Sequence, residues 1–391
     1  MANVTSPFGK STRPRALVAH PSAELYGSDR QLLETVGALV AAGWDVDALL
    51  PSQGELAGEL ATRGARVAVV IFPVLRKSLL APRALPGLLS DAVRSVLGAR
   101  RLLRRTRPDV VLVNTLTIPE WLVAARLAHV PALCHVHEAE EDQPAAVRFA
   151  LAAPLLFADE VVANSSAAAA VLEGSVRGLG RRTRVVHNGV RGPAIAPTAP
   201  RERHPGDPVH LALVGRLSPR KGIDVAVDAV RLLVERGHDV TLRICGTPFA
   251  GYEWYEENLR EQVVRSGLEG RVDLAGYVSP TWPVLEAADI VLVPSRVEPF
   301  GNTAVEALLA ERPLVASRTQ GLREVVQDGT TGLLVDPDSP EALADGIARL
   351  ACDDALARRL ASAGRADAER RFSVEAYSRA LLDAISRTAA R

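Results

Sequence analysis

Apolar positions follow two rhythms along this chain. Short unbroken runs alternate with longer stretches in which apolar residues recur every three or four positions. Segments 15–19, 46–50, 66–71, 109–113 and 131–135 are of the first kind, and their continuous burial reads as parallel strands. Between the first two, Leu32, Leu33, Val36, Leu39 and Val40 make one helical face, and Gly43 stops it. Ser28 with Gln31 three residues on is a capping box at its start. The later half repeats the scheme. Segments 209–214, 240–245, 271–274 and 290–293 read as strands, Val305, Leu308 and Leu309 as a helical stripe, and 373–391 as a final helix. Strands alternating with helices predict an α/β fold with parallel sheets. The stretch 191–208, with five prolines, Gly192 and Gly206, interrupts both rhythms. The expected organisation is therefore a first domain over 1–191, a linker over 192–208 and a second domain over 209–372.

The length of 391 residues suits two such domains. A net charge of zero argues against a nucleic-acid binder. The three cysteines (Cys134, Cys245 and Cys352) are far apart. They show neither metal spacing nor a disulfide set, which points to a reducing cytoplasm. Residues 1–15 lack the apolar centre of a signal peptide, and no apolar run is long enough to span a bilayer. Abundant alanine and arginine suggest a bacterial source with a GC-rich genome.

Charge is uneven in one place. Segment 76–107 holds Arg76, Lys77, Arg83, Arg94, Arg100, Arg101, Arg104, Arg105 and Arg107 against Asp91 alone. Leu88, Leu89, Val93, Val96, Leu97, Leu102 and Leu103 interleave at helical spacing. Such a stretch suits an anionic bilayer, here the inner face of the plasma membrane, or a phosphate-bearing acceptor. The alternative is a helix that packs its leucines on a sheet and leaves its arginines in water.

Candidate chemistry gathers at strand ends. After 290–293, the turn Pro294-Ser-Arg-Val-Glu298-Pro-Phe300-Gly301-Asn302-Thr303 leads into a helix carrying Glu306. Asn302 reads as that helix's N-cap. Such a turn lies at the carboxyl edge of a parallel sheet, where ligands bind, and the helix start favours an anion. Glu298 and Glu306 suit a ligand with many hydroxyls; the alternative is a solvated loop acid and a helix-dipole partner. After 209–214, Gly215, Arg216, Arg220, Lys221 and Gly222 outline a diphosphate clamp, or else a solvated basic loop. The first strand–loop–helix unit lacks G-x-G-x-x-G, which counts against a dehydrogenase. His135, His137 and Glu138 follow the fifth run, and alternation puts the two histidines on one face. A metal reading of these three stays open against a structural one, whereas Asp45 with Asp47 lies on an ordinary strand and is assigned to structure.

Gly215, Arg216, Lys221 and Gly222, followed by Glu298, seven residues and Glu306, resemble the second domain of glycosyltransferase family 4. Gly321, Asp328 and Gly332 fit the same pattern. The resemblance covers nearly the whole chain. It implies the GT-B fold: two Rossmann-like parallel-sheet domains facing a cleft, with segments 160–165 and 183–190 as the last strands of the first domain. It also implies a C-terminal helix that returns to the first domain. Leu25-Tyr26-Gly27-Ser28 matches the loop near the donor phosphates, with one glycine where the family often has two.

The resemblance further implies retaining transfer of a hexose-type sugar from a nucleoside diphosphate sugar to a lipid-linked or small-molecule hydroxyl acceptor. A UDP-sugar is the first choice and GDP-mannose the next. Glu298 then holds the donor sugar, Glu306 the ribose, and the backbone of Phe300, Gly301 and Asn302 lines the sugar. Thr303 belongs to the same turn. Arg216, Lys221 and the helix start stabilise the leaving diphosphate without a metal or other cofactor. His137, with His135 as the alternative, contacts the sugar; Gly27 and Ser28 approach the phosphates. Gly246, Thr247 and Val278 sit near the base. A sugar-nucleotide epimerase or hydrolase on the same fold is the alternative, with the acids between Glu138 and Asp142 as its extra carboxylates. A non-catalytic binder would be expected to lack Lys221 or Glu298.

Overall fold

The computed structural model describes residues 13–25, 27–75, 85–139, 141, 143–204 and 206–391. The chain divides into two compact units, Met1–Gly189 with Val374–Arg391, and Val190–Ser373.

The first unit is built on a parallel sheet. Its strands are β1 (Arg15–Ala19), β2 (Asp45–Leu50), β3 (Arg66–Val69), β4 (Val110–Val113), β5 (Ala132–Val136), β6 (Glu160–Ala163) and β7 (Thr183–Val185). They lie in the order β3-β2-β1-β4-β5-β6-β7. Its helices are α1 (Gly27–Ala41), α2 (Glu55–Thr62), α3 (Leu85–Thr106), α4 (Glu120–Ala128), α5 (Ala145–Ala152) and α6 (Ser166–Ser175). Alternation along β1 feeds two cores: Leu17 and Ala19 pack on one face of the sheet, Ala16 and Val18 on the other.

The second unit repeats the plan. Strands β8 (Val209–Val214), β9 (Val240–Cys245), β10 (Val272–Gly276), β11 (Ile290–Val293), β12 (Leu314–Ser317) and β13 (Leu333–Val335) form a parallel sheet. Its order is β10-β9-β8-β11-β12-β13. Around it run α7 (Ile223–Glu235), α8 (Glu253–Arg265), α9 (Trp282–Ala287), α10 (Asn302–Leu309), α11 (Leu322–Val325), α12 (Pro340–Cys352) and α13 (Asp354–Arg371).

The last helix, α14 (Val374–Ala389), belongs to the first unit. Tyr377, Leu381, Ala384 and Ile385 join the core that holds Val18 and Leu32. Its Tyr377 hydroxyl meets Thr35 Oγ1 at 2.5 Å, and Arg387 pairs with Glu160 at 2.8 Å.

The described residues of the expected linker 192–208 make contacts with the second unit. Arg201 pairs with Asp289 at 2.6 Å. Arg203 donates to the Leu350 carbonyl at 2.7 Å, and the buried Arg312 donates to the Thr198 carbonyl at 3.0 Å. Arg312 on Thr198 and Arg201 on Pro208 satisfy carbonyls of the proline-rich backbone, and Arg203 satisfies one near the end of α12. In α1, Ser28 is the second helical residue, not the cap; Asp29, buried on His20, draws the first turn onto the sheet edge. Asp47 is fully buried between Arg15 (2.6 Å) and Arg66 (2.7 Å), in agreement with the structural assignment of the Asp45/Asp47 pair.

Helix α3 divides its apolar residues. Ala99 and Leu103 are buried and Val96 and Leu102 pack beside them, whereas Val93 and Leu97 are 52% and 43% exposed. Arg76, Lys77 and Arg83 lie outside the described residues, as do Tyr26, Glu140, Asp142 and residues 1–12. Among the described residues no helix is long and apolar enough to cross a membrane.

Candidate functional site

In each sheet the strand order reverses between two central strands, and ligands of open α/β sheets bind beyond the carboxyl ends at that point. The reversal lies at β1/β4 in the first sheet and at β8/β11 in the second. Lys221 and Glu298 follow the two strands of the second reversal, and His137 follows β5 beside the first, whereas Gly246 and Thr247 follow β9 and Val278 follows β10.

In the second unit, β8 runs out at Gly215 and turns through Arg216 into a single 3₁₀ turn, Pro219–Lys221. Gly222 then starts α7 with φ 62°. A side chain at Gly222 would put its Cβ 2.0 Å from the Pro294 carbonyl oxygen. The basic loop is thus pressed against the loop after β11. That contact brings together residues 77 apart: Lys221 Nζ lies 2.5 Å from Glu298 Oε2. Ser295 Oγ donates to the same oxygen at 3.2 Å. Glu298 is buried, so its charge needs this partner.

Arg296, which sequence reasoning passed over, ties the loops further. It donates to the Pro219 carbonyl at 2.7 Å and bridges Asp224 and Asp338. Its pairing with Asp224 holds the Asp224 carboxyl below the ordinary aspartate range, against the opposing effect of burial. The signal available in the sequence was an arginine between two proposed ligand residues.

Glycine also sets the turn into α10. The N-cap is Gly301 at φ 113°, not Asn302, which is the first helical residue. The left-handed conformation and a Leu322 methyl only 2.6 Å from any added Cβ demand glycine there. Glu306 faces Thr281, whose hydroxyl donates to Oε2 at 3.4 Å. The Phe300 ring is core, edge-on to Phe372 at 5.5 Å, so only its backbone can serve a ligand. Thr303 is half-buried beside it. The Arg216 guanidinium lies 3.3 Å over the Phe249 ring, a cation–π contact that holds it at the mouth of the loop. Gly246 donates to the Gly276 carbonyl at 2.7 Å, so the turns carrying Thr247 and Val278 are neighbours. Of the aromatics opening α8, Tyr255 is buried with its hydroxyl on Asp224, and Trp254 is exposed.

In the first unit the carboxyl edge is equally polar. His20 and Asn114 each extend the ladder by one bond, to the Leu49 and Ala19 carbonyls. Their side chains are thereby fixed at the β1/β4 reversal. His137 follows β5 and its Nε2 lies 3.1 Å from Asn114 Oδ1. His135 and His137 do share a face, with ring centroids 4.1 Å apart. Burial drives the His135 pKa down to about 3. The His137 pKa is also held well below the ordinary value, by burial and then by His135 and His20. Glu138 is not a solvated loop acid: it accepts from the Thr115 hydroxyl and the His137 amide, and burial raises its pKa. Among the described residues no three His, Cys, Asp or Glu side chains gather as a metal set. Gly27 and Ser28 open α1 beside this edge, Gly27 exposed and Ser28 half-buried.

The profile of Glycosyltransferase Family 4 matches residues 26–191, and that of Glycosyl transferases group 1 matches residues 197–367. A D-inositol 3-phosphate glycosyltransferase of Corynebacterium glutamicum (strain R) is 42% identical over 162 residues, 39% of this chain and 38% of that protein. One from a Nocardioides species is 34% identical over 253 residues, 60% of this chain and 54% of the relative. The chain thus matches about half, or less, of the length of these relatives. The crystal structure of Anabaena HepE with UDP and glucose superposes with a TM-score of 0.80 at 24% identity, over 95% of this chain and 99% of that one. At that identity the likeness speaks for the fold, which is GT-B. With both halves matched by the two profiles, this chain belongs to glycosyltransferase family 4.

Proposed function

We propose that this chain is a retaining glycosyltransferase that moves a hexose-type sugar from a UDP-sugar to a hydroxyl acceptor. The observation that carries the reading is the Lys221–Glu298 pair at the β8/β11 reversal, beside the start of α10. A cation for a diphosphate and a carboxylate for hydroxyls stand side by side, each holding the other until a ligand takes both. Glu298 then receives the sugar hydroxyls and Glu306 the ribose. Lys221, Arg216 and the first-turn amides of α10 receive the diphosphate. The anomeric C–O bond to the diphosphate breaks, and the acceptor oxygen bonds to the same face. The acceptor proton passes to the departing phosphate, so no metal takes part in this scheme. His137 accepts a hydrogen bond from a sugar hydroxyl.

UDP in the HepE structure favours uridine, and the inositol phosphate relatives make inositol phosphates the first acceptors to try. In a thermal-shift panel, UDP and UDP-sugars at 100 times their dissociation constant should stabilise the protein by about 2.7 kcal/mol, with GDP and dTDP weaker. A shift with GDP-mannose alone would replace the donor; no shift with any nucleotide would sink the reading. UDP released equally with and without acceptor would identify a hydrolase.

Contact with an anionic bilayer is part of the proposal, because α3 exposes Val93 and Leu97 beside Arg94, Arg101, Arg104 and Arg105. Each arginine near such a surface contributes about 1 kcal/mol. The protein should co-sediment with vesicles containing anionic phospholipid at low salt, and Leu97→Glu with Arg101→Glu should abolish this. No binding at low salt would remove the membrane from the scheme.

A further inference from the structure

Four buried or half-buried side chains form one continuous hydrogen-bonded line in the first unit. Asp29, in the first turn of α1, lies 2.7 Å from His20 Nε2. The other nitrogen of His20, Nδ1, lies 3.0 Å from Asn114 Nδ2. The other end of that amide, Oδ1, lies 3.1 Å from His137 Nε2. Asp29, His20 and Asn114 are all nearly inaccessible to solvent. The line crosses the β1/β4 reversal and ends at His137. That last ring has one more nitrogen, Nδ1, which is buried and has no hydrogen-bond partner.

The acid at the far end gives this line a direction. A carboxylate only accepts, so His20 must present Nε2–H to Asp29. Its other nitrogen, Nδ1, faces the Asn114 side-chain amide and accepts there. Asn114 must therefore turn its NH₂ toward His20 and its oxygen toward His137. That oxygen also only accepts, so the proton of His137 sits on Nε2. Burial, the largest influence on it, keeps the His137 pKa well below the ordinary value, which leaves Nδ1 as a lone pair. We propose that Asp29, His20 and Asn114 are positioning residues that lock His137 in the Nε2–H tautomer, with Nδ1 offered as an acceptor to a ligand hydroxyl.

The surroundings fit a held ring rather than a packed one. The His137 amide donates to Glu138 at 2.9 Å, and Asn164 Nδ2 donates to the His137 carbonyl at 3.4 Å. Backbone and Nε2 are thus both anchored, and the lone pair alone is left. Among the described residues, the titratable groups around the ring include His20, His135 and Glu138; Asp29 stands behind His20, and Tyr377 of α14 stacks on His135 at 6.1 Å. A histidine locked the other way would present an N–H and would select an acceptor atom on the ligand instead of a hydroxyl proton.

The part of this inference that concerns catalysis rests on the glycosyltransferase reading; the tautomer does not. The test is ¹⁵N NMR of the full chain labelled at histidine, with the His137 signals assigned by their loss in His137→Gln. Wild type should show His137 protonated at Nε2 and bare at Nδ1; a proton on Nδ1 would overturn the lock, and no variant is needed to see it. In Asp29→Asn the terminal group can donate as well as accept, so both directions become available and Nδ1–H should be populated. Turnover should then fall about 10- to 100-fold, the cost of losing an outer partner that orients a histidine, with a smaller change in the donor KM. Asn114→Asp places a carboxylate beside Nε2–H and favours imidazolium. Its lost activity should return as pH rises and Nδ1 is bared. An Asp29→Asn spectrum and turnover identical to wild type would overturn the proposal. The expected tautomer with no sugar transfer to any acceptor would support the lock and count against the transferase reading alone.

Discussion

Lys221→Ala is expected to lower turnover by about 10²- to 10³-fold, the usual loss when one donor is removed from charge developing in a transition state. In the proposed scheme the donor KM should move much less, because Arg216 and the α10 amides would still hold the ground-state diphosphate. The substitution also removes the partner of the buried Glu298 carboxylate, 2.5 Å away. It should therefore cost stability as well, roughly 1–3 kcal/mol for a buried polar group left short of a partner, with Ser295 as the remaining donor. The two effects separate in a cycle. In a Glu298→Gln background the orphaned charge is gone, so Lys221→Ala should cost little stability. Turnover should remain low, because the diphosphate still lacks its cation. If turnover in the double variant instead returned to that of Glu298→Gln, Lys221 would be only the counterion of Glu298. Urea midpoints and UDP release, measured on all four proteins, decide between these.

The strands were legible because their apolar runs are continuous, and a strand buried on both faces leaves no other pattern. The basic loop after β8 was legible because cations and glycines crowd it. What the sequence left dark was pairwise. Lys221 and Glu298 were each assigned a ligand, yet nothing local says that they face each other across 77 residues. His20, Asn114 and Asp29 went unremarked for the same reason. A histidine after one strand and an asparagine after another become a line only when β1 and β4 are neighbours. Caps were misread where burial outweighed local preference. Asn302 is a good cap by type, but the left-handed turn at Gly301, tight against Leu322, fixes the helix start one residue earlier. The contacts of the proline-rich linker were not legible, because prolines say nothing of distant partners. Arg312 and Asp289, far along the chain, are what hold it down.

Gly222→Ala is expected to destabilise the chain by about 3 kcal/mol or more, and Gly329→Ala by only about 1–2 kcal/mol. The comparison isolates the docking of two loops. Both glycines are left-handed, at φ 62° and 69°, so both substitutions carry the conformational cost of placing a side chain there, about 1–2 kcal/mol. They differ in what the new methyl meets. At Gly329 nothing lies within 4 Å, whereas at Gly222 the methyl would sit 2.0 Å from the Pro294 carbonyl oxygen. That oxygen is backbone, at the end of β11, and cannot swing away as a flexible side chain could. Relief requires the basic loop to lift off the β11 loop, which adds an overpacking cost of about 1–3 kcal/mol. Lifting also pulls Lys221, the next residue back, away from Glu298. Gly222→Ala should therefore lose UDP-dependent stabilisation as well, in proportion to that displacement, while Gly329→Ala keeps it. Equal urea midpoints for the two variants would mean that the loops are not pressed together, and that the Lys221–Glu298 pair is held by the side chains alone.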